Sequence, residues 1–240
     1  TLAFNSPGAQ GFGVKRAGLA VPNSVMLLVA PACCGRNTTM LSVESGYGDR
    51  FFYLLLDDTD IVTGRHLTKI PKAVEEVCQS LDYTPSAVMI CITCVDALLG
   101  TDMDRVCRKS SDRAGVPVVP CYMYALTREK RLPPMASVRK SVYSLLKPRK
   151  RKSDEVNILG YFSPLQEDCE LYSLLKSAGV KTIRELSRCD TFEEYEKISQ
   201  ANFSLVLNAE ARYAAQQMEQ ELNIPFIELA RVIQADKIST

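Results

Sequence analysis

Five cysteines fall where a strand gives way to a loop, and their spacing sets the chemistry to be explained. Cys33 and Cys34 sit side by side in "PACCGRN" (31–37), Cys91 and Cys94 form "CITC", and Cys121 closes "VPVVPC" (116–121). Asp57, Asp58 and Asp60 follow another apolar run, 51–56. Thiolates placed this way suit several chemistries. A CxxC pair can do thiol–disulfide exchange, but such motifs normally open a helix with both thiols beyond the strand, and Cys91 is read within one. A structural zinc site favours paired CxxC knuckles, which "ACCG" does not supply. Iron–sulfur ligation suits cysteines contributed singly from rigid loops. The competing reading is packing, since a cysteine thiol behaves as a small hydrophobe.

The elements that must position these residues come from hydropathy. Strands are expected at 25–30, 51–56, 87–92 and 116–120, then at 156–162, 180–183, 203–207 and 225–229. Amphipathic helices are expected at 70–81, 135–146, 167–179 and 211–222. Near-continuous apolar strands alternating with helices mean βαβ units, that is, an α/β fold of consecutive Rossmann-like parallel-sheet domains with helices on both faces. In such sheets ligands bind outside the carboxyl ends of the strands. Cys33, Cys34, Cys91, Cys94, Cys121 and Asp60 are therefore expected along one edge of the first sheet. Adjacent thiols in extended backbone leave in opposite directions, so only one of Cys33 and Cys34 should face a shared cavity.

The stretch "KPRKRKSDE" (147–155) breaks the alternation and is read as a solvated linker, dividing the chain into 1–152 and 153–240. A nuclear-localisation or nucleic-acid patch is the alternative reading of its basic cluster. With 29 basic and 28 acidic residues, the composition argues against a general nucleic-acid or acidic-membrane binder. No run reaches the roughly 18 apolar residues a membrane span needs, and no signal peptide opens the chain. A start at Thr1 is taken as a processed or trimmed N-terminus. Nine cysteines, an odd number in so large a chain, suggest reduced thiols and a cytoplasmic location. His66 is the only histidine and is expected to be a surface or packing residue.

The segments "GAQGFGVKRAGLAVPNSVMLLVAPACCGRN" (8–37), "DIVTG" (60–64), "CITCVDALLGTDMDRV" (91–106) and "VPVVPC" (116–121) resemble the first domain of nitrogenase component 1. Relatives of that family include the dark-operative protochlorophyllide reductase and the reductive cyclase of nickel tetrapyrrole biosynthesis. The stretch from "NILGYF" to "LNIPFIEL" (157–229) resembles the family's second domain, so the likeness covers nearly the whole chain. It implies an iron–sulfur cluster near a subunit interface, held by three cysteines of the first domain. Two of these match Cys34 and Cys94, while the first falls near Ala9, where there is no thiol. A symmetric homodimer giving Cys34 and Cys94 from each chain would supply four thiolates to one [4Fe–4S] cluster. Substitution by Cys33 or Cys91 within the chain is the alternative.

The same resemblance implies roles for other residues. Asp60 could orient the loop, relay a proton or ligate iron; as a helix cap or turn residue it would do none of these. Asn208 stands where nitrogenase itself carries a cofactor-anchoring cysteine, and no third domain is read, so dinitrogen reduction is not expected. The leading expectation is an iron–sulfur subunit that takes electrons from an ATP-dependent dimeric iron–sulfur reductase and passes them to a substrate, a tetrapyrrole among the candidates. It would act as a homodimer or with a paralogous subunit, binding neither nucleic acid nor membrane. The alternatives are a non-catalytic metallocluster scaffold and a cluster-less α/β binding module.

Overall fold

The computed structural model describes residues 17–32, 34, 39–40, 43–44, 46–93, 99–122 and 132–229. In chain order these form β1 (Val25–Ala30), β2 (Phe51–Leu55), α1 (Asp58–Val62), α2 (His66–Ser80), β3 (Val88–Ile92), α3 (Met103–Ala114), β4 (Val118–Tyr122) and α4 (Pro134–Tyr143). There follow β5 (Glu155–Leu159), α5 (Glu170–Ser177), β6 (Thr182–Glu185), α6 (Phe192–Glu196), β7 (Phe203–Val206), α7 (Arg212–Leu222) and β8 (Phe226–Glu228). Four strands make one sheet, ordered β2-β1-β3-β4, and four make a second, ordered β6-β5-β7-β8. Every pairing is parallel. The expected consecutive Rossmann-like α/β sheets are what the chain forms.

Side-chain alternation sorts the first sheet into two faces. Val25, Leu27 and Val29 join Val88, Ile90 and Ile92 on the face covered by Ile70, Val74 and Val77 of α2 and Val106 and Cys107 of α3. Met26, Leu28 and Ala30 point the other way, with Met89, Cys91 and Cys121. That second face is continuous with Val138 and Val142 of α4, Ala214 and Met218 of α7, and Leu159 and Val206 of the second sheet. Helix α4 packs on both β4 and α7, so one core serves both sheets. Each large aliphatic side chain buried there contributes roughly 1.5–3 kcal/mol.

Several expectations shift in detail. β4 runs two residues further than expected, placing Cys121 inside the strand rather than past it. Pro120 is tolerated because β4 is an edge strand, where a missing N–H costs no internal ladder bond. Helix α2 begins at His66, ahead of Pro71, because the amides of Leu67, Thr68 and Lys69 bond back to the carbonyls of Gly64 and Arg65. The basic stretch is not loose: Arg149 pairs with Glu196 at 2.7 Å and Arg151 binds the Asn202 side chain at 2.9 Å. Lys152 N–H donates to the Gln200 carbonyl, so this strap is fastened onto the second sheet's connections.

Candidate functional site

The carboxyl end of β1 is where the chain leaves the sheet. Leu56 N–H donates to the Ala30 carbonyl at 3.0 Å as the last β1–β2 bond, and Pro31, at a β3-facing position, has no N–H with which to extend the ladder to β3. Beyond it Cys34 N–H turns back onto the Pro31 carbonyl at 3.0 Å. Tyr53, level with Leu28 in the neighbouring strand, donates its hydroxyl to the Pro31 carbonyl at 2.8 Å, with the Ala30 carbonyl at 3.1 Å. Cys34 is half-buried and packs against the shared core, on the same face as Tyr53. Cys33 and Cys94 lie outside the described residues.

Cys91 and Cys121 are register partners in adjacent strands and are wholly buried. Burial pushes the Cys121 thiol well above the usual range, an effect the nearby Cys91 reinforces. Gly18 comes close enough that a methyl group there would lie 3.3 Å from Cys121 Sγ. These surroundings suit thiols used as packing groups, with the thiolate form disfavoured. The expected convergence at the loop edge therefore places Cys34 there and puts Cys91 and Cys121 one step back, inside the strands.

After β2, Asp57 caps α1. Its side chain accepts from Asp60 N–H at 2.7 Å, while Asp60 Oδ2 accepts from Asp57 N–H at 3.2 Å. This capping box fixes the Asp60 carboxylate, which is completely buried. Lys69 Nζ sits 2.5 Å from Oδ2, and Arg65 Nε lies 3.3 Å from Oδ1, paired in charge but outside hydrogen-bond geometry. The Lys69 hydrogen bond holds the Asp60 carboxyl below its ordinary pKa, against the opposing effect of burial and helped by the Asp57 amide. Asp60 is thus a structural anchor for the loop. The orienting role considered for it has a geometric basis, while both carboxylate oxygens face cations at the start of α2, Arg65 at its cap and Lys69 in its first turn.

His66 is buried and spans two connections. Nδ1 lies 3.1 Å from the Asp60 carbonyl and Nε2 3.4 Å from Thr101 Oγ1. A carbonyl only accepts, which assigns the proton to Nδ1 and leaves Nε2 to take the Thr101 hydroxyl in the neutral ring. Thr101 precedes Asp102, whose side chain accepts from Arg105 N–H at 3.0 Å as the cap of α3. The only histidine is therefore a brace between the loops after β2 and β3.

The carboxyl edge of the second sheet is closed. Arg139, nearly fully buried on α4, donates to the Gly160 carbonyl at 2.7 Å, the Met135 carbonyl at 2.9 Å and Glu210 Oε2 at 2.8 Å. Its guanidinium also lies 4.6 Å from the centre of the Phe162 ring. Gly160 has φ +149°, and a methyl group there would meet Asn208 N at 3.0 Å. Asn208 uses its side-chain carbonyl to accept from Glu210 N–H at 2.9 Å. A cleft of about 480 Å³ opens between β4, α4 and α7, lined in part by Thr101, Tyr122, Lys140 and Gln217.

Whether the first edge fits an iron–sulfur group is tested by its polar atoms. Thr93, next to Cys94 at the end of β3, has a buried hydroxyl with no hydrogen-bond partner. A buried hydroxyl costs free energy unless something accepts from it, and a sulfide or thiolate would. With the half-buried Cys34 thiol at the end of the adjacent strand, the edge offers one soft ligand and one waiting donor. Among the described residues no three His, Cys, Asp or Glu side chains gather to hold a metal ion. The fit is to a ligand set that is shared, or completed by Cys94.

Tyr53, Thr93, Thr101 and Arg139 were not singled out from the sequence. Their one visible signal is a polar or hydroxylated residue inside an otherwise apolar or helical run.

The profile of the family described as nitrogenase component 1 type oxidoreductase matches residues 9–239. The chain is 27% identical over 224 residues to the nitrogenase iron-molybdenum cofactor biosynthesis protein NifE of Rhizobium meliloti (strain 1021), covering 90% of this chain and 47% of that protein. It is 26% identical over 224 residues to the nitrogenase molybdenum-iron protein alpha chain of Methanosarcina barkeri, covering 87% of this chain and 41% of the other. It therefore spans less than half the length of these relatives. Among solved structures, "Nitrogenase Cp1 at pH 6.5" matches with a TM-score of 0.70 at 18% identity, over 95% of this chain and 55% of that one. That likeness bears on the fold. With the profile covering nearly all of the sequence, the chain belongs to the nitrogenase component 1 type oxidoreductase family.

Proposed function

We propose that this chain holds an iron–sulfur cluster at the carboxyl edge of its first sheet and serves as a metallocluster scaffold in a nitrogenase-like assembly system. The observation that carries this reading is the edge itself, with the half-buried Cys34 on a braced turn after β1 and the orphaned Thr93 hydroxyl at the end of the adjacent strand β3. Cys34 and Cys94 would ligate, from each of two chains or together with a paralogous subunit. A bound cluster, [4Fe–4S] in the symmetric arrangement, would supply one-electron chemistry. Cys34 would supply one thiolate and the Thr93 hydroxyl could donate a hydrogen bond to it or to a sulfide, while Asp60 with His66 holds the connections after β2 and β3. Exposed apolar side chains on these connections support a protein cover: Val62 is 85% exposed and Met40 57%. The relatives named for cofactor biosynthesis favour a scaffold, as does the second edge, which Arg139 and Asn208 close. Within this reading the protein works in the cytoplasm, and its two units divide near residue 152.

The second reading is an electron-transfer component fed by an ATP-dependent dimeric iron–sulfur reductase, with a tetrapyrrole as one candidate substrate. It is supported by the likeness to a nitrogenase alpha chain. Anaerobic reconstitution with iron and sulfide tests the shared core of both readings. Cys34→Ala and Cys94→Ala should each lose the bound iron, and Cys33→Ala should keep most of it. Equal iron and sulfide in Cys34→Ala and the parent would overturn the assignment. Release of iron to an apo-acceptor protein then marks a scaffold, whereas ATP-dependent turnover with the reductase marks the second reading.

A further inference from the structure

We propose that Tyr53 is the positioning residue for the Cys34 thiol, a role that rests on the reading of Cys34 as a cluster ligand. The last β1–β2 bond runs from Leu56 N–H to the Ala30 carbonyl, and Pro31, on the β3-facing side of the strand, has no N–H with which to extend β1 toward β3. The next peptide unit, which sets the direction of the Cys34 turn, therefore needs a restraint from outside the ladder. Tyr53 provides it. Its register partner is Leu28, its ring packs on the shared core beside Leu28 and Ala30, and its hydroxyl reaches forward to the Pro31 carbonyl at 2.8 Å.

That carbonyl has two lone pairs, and both are used: one by the Tyr53 O–H, the other by Cys34 N–H at 3.0 Å. The Ala30 carbonyl already has its ladder donor, so the shorter contact to Pro31 is the one that restrains the turn. Rotating the Pro31 peptide, the motion that would swing Cys34 away, must break the phenol bond and the turn bond together. A soft-metal ligand has to be held to about half an ångström for stable ligation, and a thiol on an unrestrained turn would not be. Phenylalanine could fill the same space, as Phe51 does on the same face; only the hydroxyl performs this task. No other residue of β2 carries one.

The test separates presentation of Cys34 from cluster binding. In iron-free protein, Tyr53→Phe should raise the rate of iodoacetamide alkylation at Cys34 about fivefold, the factor expected for one hydrogen bond of ordinary net strength. Rates at Cys78 and Cys189, read by mass spectrometry in the same samples, should not change. Incorporating 3-fluorotyrosine at position 53, which strengthens the phenol as a donor and leaves the packing intact, should slow Cys34 below the parent rate. After anaerobic reconstitution, Tyr53→Phe should give up iron to a chelator about fivefold faster than the parent. A Cys34 rate within twofold of the parent in both variants overturns the proposal, as does an equal rise at all three thiols. If Cys34 responds while the parent takes up no iron, the cluster reading fails and the positioning role stands.

Discussion

Arg139 offers the sharpest energetic test of how the two sheets are joined. Arg139→Met keeps the apolar stem on α4 and deletes the guanidinium. The Gly160 carbonyl then loses a 2.7 Å charge-assisted partner inside the core, at a cost of about 1–3 kcal/mol for an unmet buried acceptor. Glu210 is 43% exposed on its side chain and can return to water, so its 2.8 Å ion pair contributes at most about 1 kcal/mol. Stacking on Phe162 adds roughly 0.5–1 kcal/mol. Against these losses, burial disfavours the charged guanidinium, lowering its pKa while Glu210 raises it, and methionine is spared that penalty. The net expectation is about 2–3 kcal/mol, or roughly 4–12 °C in Tm for a chain of this size. Arg139→Lys should fall between, since an ammonium keeps the charge and cannot fork to three acceptors. Guanidinium titration followed by circular dichroism measures both. A loss below about 0.5 kcal/mol for Arg139→Met would show that the desolvation cost cancels the bonds and refute the reasoning.

Gly160→Ala should cost about 2–4 kcal/mol, because it combines a φ of +149° with a methyl group 3.0 Å from Asn208 N. Gly64→Ala, with φ +70° and open space around it, should cost only about 1–2 kcal/mol, and equal losses in denaturant titrations would remove the contact argument. Asp60→Asn tests the sign of the ion-pair contribution. A carboxyl whose folded pKa is lowered stabilises the fold above its usual value of 3.8 and loses that effect as pH falls through the lowered value. The stability gap between parent and Asp60→Asn should therefore be widest near neutrality and narrow in acid; a gap independent of pH would exclude the Lys69 and Arg65 charges as its source.

The strands were legible because burial on both faces leaves them almost wholly apolar, and β1 falls on 25–30 as read. Position along a strand was harder to read where proline intervenes. In "VPVVPC" two prolines suggested a stop at 120, yet an edge strand accepts Pro120 and carries Cys121 inward. Pro71 similarly hid the first turn of α2, and with it His66. A helix cap was among the roles read for Asp60, but an Asp-x-x-Asp capping box departs from the usual Ser/Thr-x-x-Glu pattern, and the cap is Asp57 with Asp60 as its third helical residue. What the sequence does not display is long-range pairing. Tyr53 meets Pro31 across 22 residues and Arg139 meets Glu210 across 71, and no local periodicity encodes either contact.

The change of sheet near residue 152 is not a gap in packing. Val138 and Val142 of α4 lie in one buried cluster with Tyr195, Ile198 and Met218, and the Tyr195 hydroxyl donates to the Val142 carbonyl. Separating the chain at that point would strip these groups of cover on both sides. The same cluster includes Met26, Leu28 and Ala30 of β1, and Cys34 and Tyr53 pack against it. The turn that presents the thiol is thus founded on a core to which residues after 152, Leu159, Tyr195, Val206 and Met218 among them, contribute part of the lining. Loosening the second sheet, by way of Arg139 or Gly160, should weaken the ground under Cys34 even though neither residue comes from the first sheet's own strands. In this fold the second sheet's edge supports the first.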